Sequence, residues 1–473
     1  MKNAAPKTSL PPFGAKDKWS YAMGDFGCNM SFALNAYLML FYTQYIGLSL
    51  KTWGIVILIL KIWDGINDPI MGGLMDSLKP GKYGKFKTYI FYGSFVLLIS
   101  GAMCFLPIPN APYWVKVLVC VIGYLVWDMS YTVVNVPYGA MNAAITADPT
   151  ERAQLSTYRS IGSILANALT MVLIPIIVFN EQDELLGKRM FVIALIMGVE
   201  GFFAFMILLK GTTERVTLID KQAHKVQKEK YNYFKALGSF FKNRAAVGST
   251  LAAIAQIISF AGLQNANQIL FQSYFNMAKY SGAASIVAML PTVLFIPAVK
   301  PLVKRCGKKE ATAYPLIGAV ITGALMTFLP IPNNKTGVLI WLGLMMIYGI
   351  SSAMFMMVCW ALIADSIDYN EWKTGRREEG TIYATYSLGR KLAQGFGASI
   401  IAFLLELTGY VPTLGPDQTF EVASNVRVLA GGIQFAGALL MFIAVAFVYN
   451  LDKKTVAAME KALGRNIKDN EEK

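Results

Sequence analysis

Between positions 61 and 73 the chain reads KIWDGINDPIMGG, so Asp64, Asn67 and Asp68 fall inside a run that is otherwise apolar from 53 to 75. About 20 helical residues at 1.5 Å rise cross the roughly 30 Å hydrocarbon core of a bilayer, and this run is long enough to do so. A carboxylate at that depth costs roughly 2.5–3.5 kcal/mol, so two in one span demand a purpose or a partner. The i, i+3, i+4 spacing sets all three side chains on one helix face. Oxygens converging from one face suit a hard monovalent cation, and either carboxylate could instead carry a proton. Lys61, three residues before Asp64, offers a competing use as a salt-bridge partner, but that pairing leaves Asp68 unanswered.

Other apolar runs carry polar groups of a different kind. One holds Asp25, Asn29, Asn35 and Tyr37; another holds Trp127, Asp128, Tyr131, Thr132 and Asn135 ahead of Pro137. Tyr131, Thr132 and Asn135 share a helix face, so an aromatic ring stands beside a hydroxyl and an amide. A flat ring with amides at its edge suits a sugar, which has apolar C–H faces and a rim of hydroxyls. Any single Asn or Thr can instead serve as interhelical glue worth about 0.6 kcal/mol. The run at 380–408 carries Tyr383, Tyr386, Ser387, Arg390 and Lys391. Arg390 is expected to reach along its helix toward a membrane surface. Lys391, one turn from Ser387, is expected inside, where it can answer carboxylates. Glu200 and Glu406 show no partner pattern and receive no role.

The elements that must position these groups follow from composition. Of 473 residues, 55% are hydrophobic and 15% charged, with a mean hydropathy of +0.46; soluble domains carry about 25% charged residues, so the chain reads as an integral membrane protein. Apolar runs lie at 20–48, 52–76, 87–108, 113–145, 157–180 and 188–209, then at 245–278, 281–304, 311–331, 336–364, 380–408 and 426–450. Twelve transmembrane helices are expected. The net charge of +14 sits in short segments between runs, at Lys79–Lys87, Arg152, 210–244, Lys300–Lys309 and Lys373–Arg377. That pattern is the positive-inside signature of cytoplasmic loops rather than a nucleic-acid footprint, and it puts both termini inside the cell. The five cysteines show no paired spacing and the single histidine, His224, lies in a charged loop, so metal or histidine catalysis is not expected. The first nineteen residues hold Pro6, Pro11, Pro12 and four lysines without an apolar core, so no signal peptide is expected.

The chain is expected to divide into a six-helix half at 1–209, a cytoplasmic loop at 210–244, a second six-helix half at 245–450 and a cytoplasmic tail at 451–473. The halves echo each other. FLPIPN occurs at 105–110 and 328–333, Gly84-Lys85 returns as Gly307-Lys308 at the same offset, and AITAD at 144–148 is matched by ALIAD at 361–365. Three matches at equivalent places indicate an all-α major-facilitator fold of two pseudo-symmetric halves. Charged residues at matched cytoplasmic places, Asp76 and Lys85, Asp148 and Arg152, and Asp365, Asp368 and Arg377, could form a gate between the halves. Alternatively they are ordinary solvated loop charges worth about 0–1 kcal/mol per pair.

With these residues in hand the chain resembles the glycoside–pentoside–hexuronide:cation symporter family. The similarity is carried by YAMGDFGCN at 21–29, YLMLFYTQYIGLS at 37–49, KIWDGINDPIMGG with GKYGKFK, YTVVNVPYGAMNAAITADPTERAQL at 131–155 and ADSIDYNEWKTGRREEGTIYA at 364–384. The resemblance implies a cation site at Asp64, Asn67, Asp68 and Thr132, taking Na+, H+ or Li+ as the coupling ion, with no cofactor. It implies a sugar site at Asn29, Trp127, Tyr131, Thr132, Asn135 and Arg159 in the first half and at Met356, Tyr386, Ser387 and Lys391 in the second. Asn29 and Asn135 stand where melibiose carriers of the family have carboxylates, and Gly139 and Met356 where they have tryptophans, so xylosides, other glucosides or glucuronides are expected ahead of galactosides. The implied protein is a monomer of the cell (inner) membrane that takes up a sugar or glycoside with a monovalent cation and binds no nucleic acid. A lysophospholipid:Na+ symporter of the same fold and a membrane sugar sensor without transport are the competing readings. No nucleophile–base pair supports an enzyme.

Overall fold

The computed structural model describes residues 11–77, 81–216, 238, 240–375 and 379–463, and within these the side chains of all but 68–69, 72–77, 149, 153, 292–293, 379–381 and 384. Most of the described residues are helical, and the only extended pairing among them is in isolated bridges, one joining Gly81 to Gly84 and others marked at Phe179 and Leu185. This is the outcome demanded of apolar runs in lipid, where every backbone polar group must be satisfied within its own segment.

The helices are α1 (Ala15–Ala33), α2 (Asn35–Leu40), α3 (Leu50–Ser77), α4 (Lys87–Met103), α5 (Tyr113–Ile145), α6 (Pro149–Val178) and α7 (Gly187–Gly211). They continue with α8 (Arg244–Ser273), α9 (Ser281–Leu294), α10 (Ile296–Cys306), α11 (Lys308–Phe328), α12 (Lys335–Thr374), α13 (Glu379–Leu407), α14 (Phe420–Ile443) and α15 (Lys453–Ala462). Each apolar run of the sequence coincides with one of these helices or with a consecutive pair. Among the described residues seven helices are individually long and apolar enough to cross a membrane, and α9 with α10 forms an eighth candidate bent by 42°. The bend has a local cause. Pro297 stands in the first turn of α10, where its ring and missing N–H cannot continue α9. A π-helical turn over Phe41–Tyr45 follows α2, and a second over Ala444–Val448 follows α14.

The chain divides into two compact units. The first comprises residues 1–48, 63–178 and 185–227; the second comprises 49–62, 179–184 and 228–473. In the first unit α1 packs on α6 and α7, and α4 packs on α5 and α7. In the second, α8 packs on α13 and α14, and α11 packs on α12 and α14. These are the same four pairings, and they give structural form to the repeat read from FLPIPN and its companions.

The first part of α3 and the 179–184 turn group with the second unit and bond to it. Ser399 Oγ donates to the Gly54 carbonyl at 2.8 Å, and the Gln272 amide donates to the Asp183 carbonyl at 2.9 Å. The Asp183 carboxylate accepts from the Ala278 backbone at 2.8 Å, while Lys279 pairs with Glu181. Asp183 takes a left-handed backbone (φ 58°), a conformation that Asp tolerates better than most residues.

Close helix approach in lipid depends on small residues. Gly162 sets the α1–α6 crossing, because a Cβ there would fall inside contact distance of the Ala22 carbonyl oxygen, which is fixed backbone. Gly162→Ala is therefore expected to cost about 1–3 kcal/mol, read as a lower melting temperature of the purified protein; an unchanged melting temperature would show that α1 can back away.

The segment after α7 is folded into the first unit. The Glu214 carboxylate accepts from the backbone N–H groups of Lys85, Phe86 and Lys87 at 2.8–3.0 Å, which caps the start of α4. Lys87 reaches the opposite way, donating to the carbonyls of Leu209 and Thr212 at the end of α7. Arg215 grips Asp17 through both guanidinium nitrogens at 2.9 and 3.0 Å and also bonds the Pro11 and Pro12 carbonyls. None of these partners was marked by the sequence.

Candidate functional site

In the first unit a polar network links α1 to α6. Asp25 and Asn29 lie one turn apart on α1, and Arg159, Ser163 and Asn167 lie one turn apart on α6. The crossing at Gly162 brings the two rows together. Arg159 Nε donates to Asp25 Oδ1 at 2.8 Å, and the Asn29 amide donates to Asp25 Oδ2 at 3.1 Å. The Asn167 amide then donates to Asn29 Oδ1 at 3.1 Å. Below the pair, the Arg159 guanidinium lies over the Tyr138 ring, 5.1 Å from its centroid. Tyr138 in turn stacks on Tyr21 at 4.8 Å, and its hydroxyl bonds the Tyr21 carbonyl at 2.9 Å. Gly139 lies beside this arrangement, and a Cβ there would stand 4.0 Å from an Arg159 nitrogen, in ordinary contact.

Tyr131 stands near this network on α5. It stacks with Trp127 at 5.9 Å and lies within electrostatic reach of Asp25, Arg159 and Asp64. Trp127 itself is buried, its indole N–H donating to Ser31 Oγ at 2.8 Å, so it backs the Tyr131 ring instead of offering an open face. Asn135 is half-buried and makes no hydrogen bond to another described residue. Thr132 is buried; Asp64 is half-buried and has a partner of its own. Asn67 is 8% exposed, and its side-chain nitrogen has no hydrogen-bond partner among the described residues. The side chain of Asp68 lies outside the described residues.

In the second unit Tyr386 is fully buried, and its hydroxyl accepts from Arg390 at 3.2 Å. The Arg390 guanidinium also lies over the Trp360 ring at 4.9 Å. Two aromatic faces and a phenol one turn away hold Arg390 beside α12. Trp360 stacks with Tyr383 at 6.1 Å, and both are about half exposed. Trp360 lies one turn beyond Met356 on α12, a half-buried residue that has partners of its own. Ser387 and Lys391 are half-buried on α13.

The residues considered for a gate make local bonds. Asp148 caps α6 by accepting from the Thr150 and Glu151 backbone at 2.7 and 3.0 Å, and those N–H groups hold its carboxyl below the usual carboxylate range. Arg152 donates to the carbonyls of Thr146 and Ala143 at the end of α5. The Lys85 backbone is taken by Glu214, and its ammonium lies 5.5 Å from the Phe86 ring centroid. Asp365 pairs with Lys308 at 2.6 Å, joining α12 to α11 within the second unit, and Asp368 has a partner of its own. The side chain of Asp76 and the whole of Arg377 lie outside the described residues.

Sequence reasoning did not pair Asp25 with Arg159 or Arg390 with Trp360 and Tyr386. The available signals were short-range: Asp25 precedes Asn29 by four, Trp360 follows Met356 by four, and Arg390 follows Tyr386 by four.

Two helical units with matched internal pairings, long apolar helices and buried polar side chains describe a membrane-spanning helical protein. The xylose transporter XylE from E. coli, in an inward-open conformation, has the same fold: its TM-score is 0.63 at 14% identity, over 94% of this chain and 98% of that one. The profile of the family described as "MFS/sugar transport protein" matches residues 20–453, and the chain belongs to that family. Among its relatives, "Uncharacterized symporter YjmB" of Bacillus subtilis (strain 168) is 31% identical over 443 residues, covering 92% of each chain. "Isoprimeverose transporter" of Lactiplantibacillus pentosus is 27% identical over 459 residues, covering 94% of this chain and 91% of the relative. The protein is a multi-pass transporter of the cell membrane.

Proposed function

We propose that the protein takes up a sugar or glycoside together with a monovalent cation, Na+, H+ or Li+, by alternating access, with twelve spans and both termini cytoplasmic. The observation that carries the coupling is Asn67. An amide buried on the face it shares with Asp64 and Asp68, its nitrogen without a partner, costs free energy unless something is bound there. Turned over, the amide would offer its oxygen to a cation instead, with Asp64, Asp68 and Thr132 supplying the other oxygens of the proposed site. Asn29, Tyr131, Asn135 and Arg159 would take the sugar in the first unit, with Asn135 holding its amide free for a hydroxyl. The names of the symporter and isoprimeverose relatives support this reading.

Cation and sugar then favour one another by the same factor, because binding linkage is reciprocal. The charged cytoplasmic loops, Lys308–Asp365 among them, would make and break contacts as the site changes sides. Reconstituted in liposomes with an inward Na+ or H+ gradient, the protein is expected to concentrate a labelled glycoside above its external level. Uptake that stops at equal concentrations under both gradients would refute coupling; binding without flux would make the protein a sensor.

A further inference from the structure

We propose that Arg390 is the docking point for an acidic substituent on the transported sugar, a carboxylate or sulfonate, and that it selects acidic over neutral glycosides. The inference rests on the sugar-transport reading and adds the substrate's charge to it.

An arginine keeps its charge at any attainable pH and offers five N–H donors in a rigid fork. Placed among apolar helices, it needs acceptors or a counter-charge. The comparable cations of this protein have them. Arg159 has the Asp25 carboxylate and Lys308 has Asp365. Arg427 donates to the carbonyls of Met326 and Leu329, where α11 ends and its dipole is negative. Arg390 alone of these four has neither. Its hydrogen-bond acceptor is the neutral Tyr386 hydroxyl, its other close company is the Trp360 and Tyr386 rings with the Cys359 thiol, and no described carboxylate pairs with it. Ring faces offset part of the cost of a cation but leave most of the fork open.

The surroundings fit a sugar acid. Tyr383, Ser387, Arg390 and Gln394 recur along one face of α13, which therefore does not read as a lipid-facing surface. At one end of that face Trp360 and Tyr383 stack with about half of each side chain uncovered. An open aromatic pair takes the C–H face of a pyranose, and the guanidinium beside it takes two oxygens of a planar carboxylate or two of a sulfonate. Tyr386, one turn below, fixes the fork in advance, so little side-chain entropy is lost on binding. A neutral glycoside would use the rings and leave the charge unanswered.

The test compares methyl β-glucuronide, methyl β-glucoside and the 6-sulfonate of the same glucoside in counterflow by the reconstituted full-length carrier. The three differ only at C6. The wild type is expected to show at least a tenfold lower KM for the carboxylate, the sulfonate or both than for the glucoside, and the arm that responds identifies the acidic group. Arg390→Gln is expected to raise the KM for that acid by about 10- to 100-fold while leaving the glucoside within about twofold. Arg390→Lys, which keeps the charge without the fork, should recover part of the loss. Equal or better exchange of the glucoside by the wild type overturns the inference without touching sugar transport, and so does an equal loss on both substrates in a variant that melts like the wild type. If none of the three sugars is exchanged, the transport reading fails first and this inference falls with it.

Discussion

Asp68→Cys is expected to abolish cation-driven accumulation and leave the sugar equilibrated across the membrane. A tenfold gradient of a monovalent cation supplies about 1.4 kcal/mol, and a 100 mV potential adds about 2.3 kcal/mol per charge. One cation per sugar can therefore sustain an accumulation of several hundredfold. Without the carboxylate proposed to hold the ion, that driving force would no longer couple to the sugar. Asp64→Cys should behave in the same way, because Asp64 shares the face with Asp68 and Asn67. If the only task of Asp64 were to answer Lys61, Asp68→Cys would accumulate sugar like the wild type. Measuring the steady-state internal-to-external ratio of a labelled glycoside, with and without an imposed gradient, decides between the two. Full accumulation by Asp68→Cys would remove the cation from this part of the chain.

Asp25→Ala should damage the protein in a different way. Asp25 is the carboxylate that neutralises Arg159, and its removal leaves a guanidinium over the Tyr138 ring with no counter-charge. Breaking a fully buried pair by removing one partner costs roughly 3–5 kcal/mol. The Arg159 side chain is 39% exposed against 9% for Asp25, so water screens part of the loss and about 1–3 kcal/mol is the reasonable range. Melting temperature should fall accordingly, and sugar affinity should fall by at least tenfold, because Asn29 also takes its position from Asp25. Arg159→Gln in the same chain removes the orphaned charge, so the double variant should melt above Asp25→Ala yet remain unable to bind sugar well. That separation of stability from binding is the expected signature of a pair that positions a ligand contact. A double variant that melts no higher than Asp25→Ala would show that the network is held by Asn29 and Asn167 without the charge.

The positions of the helices were largely legible before the structure, and for a simple reason. Lipid forces long apolar runs, and the polar loops between them are short, so α5, α7 and α12 begin or end within a few residues of the runs that announce them. The repeat was legible as well, through FLPIPN and its companions. Partnerships between distant residues were not. Asp25 and Arg159 are separated by 134 positions, and nothing in either neighbourhood marks the other; the crossing at Gly162 brings them together. The company of Arg390 was hidden too, since the rings beside it come from α12 and from its own preceding turn. Conversely, the charged loop residues looked like a matched set in sequence, yet Asp148 and Arg152 are occupied with helix ends close by. The cap on α4 by Glu214 was equally hidden, since its three donors come from a loop about 130 residues earlier.

That cap redraws the practical edge of the first six-helix half. By hydropathy the half stops at residue 209, yet Glu214 and Arg215 complete the start of α4 and fasten the stretch before α1. A fragment trimmed at 209 would leave three backbone amides and the Asp17 carboxylate bare, whereas one ending after 216 would carry its own closure. Anyone splitting this carrier for complementation, or grafting a reporter into its central connector, should place the junction beyond Arg215.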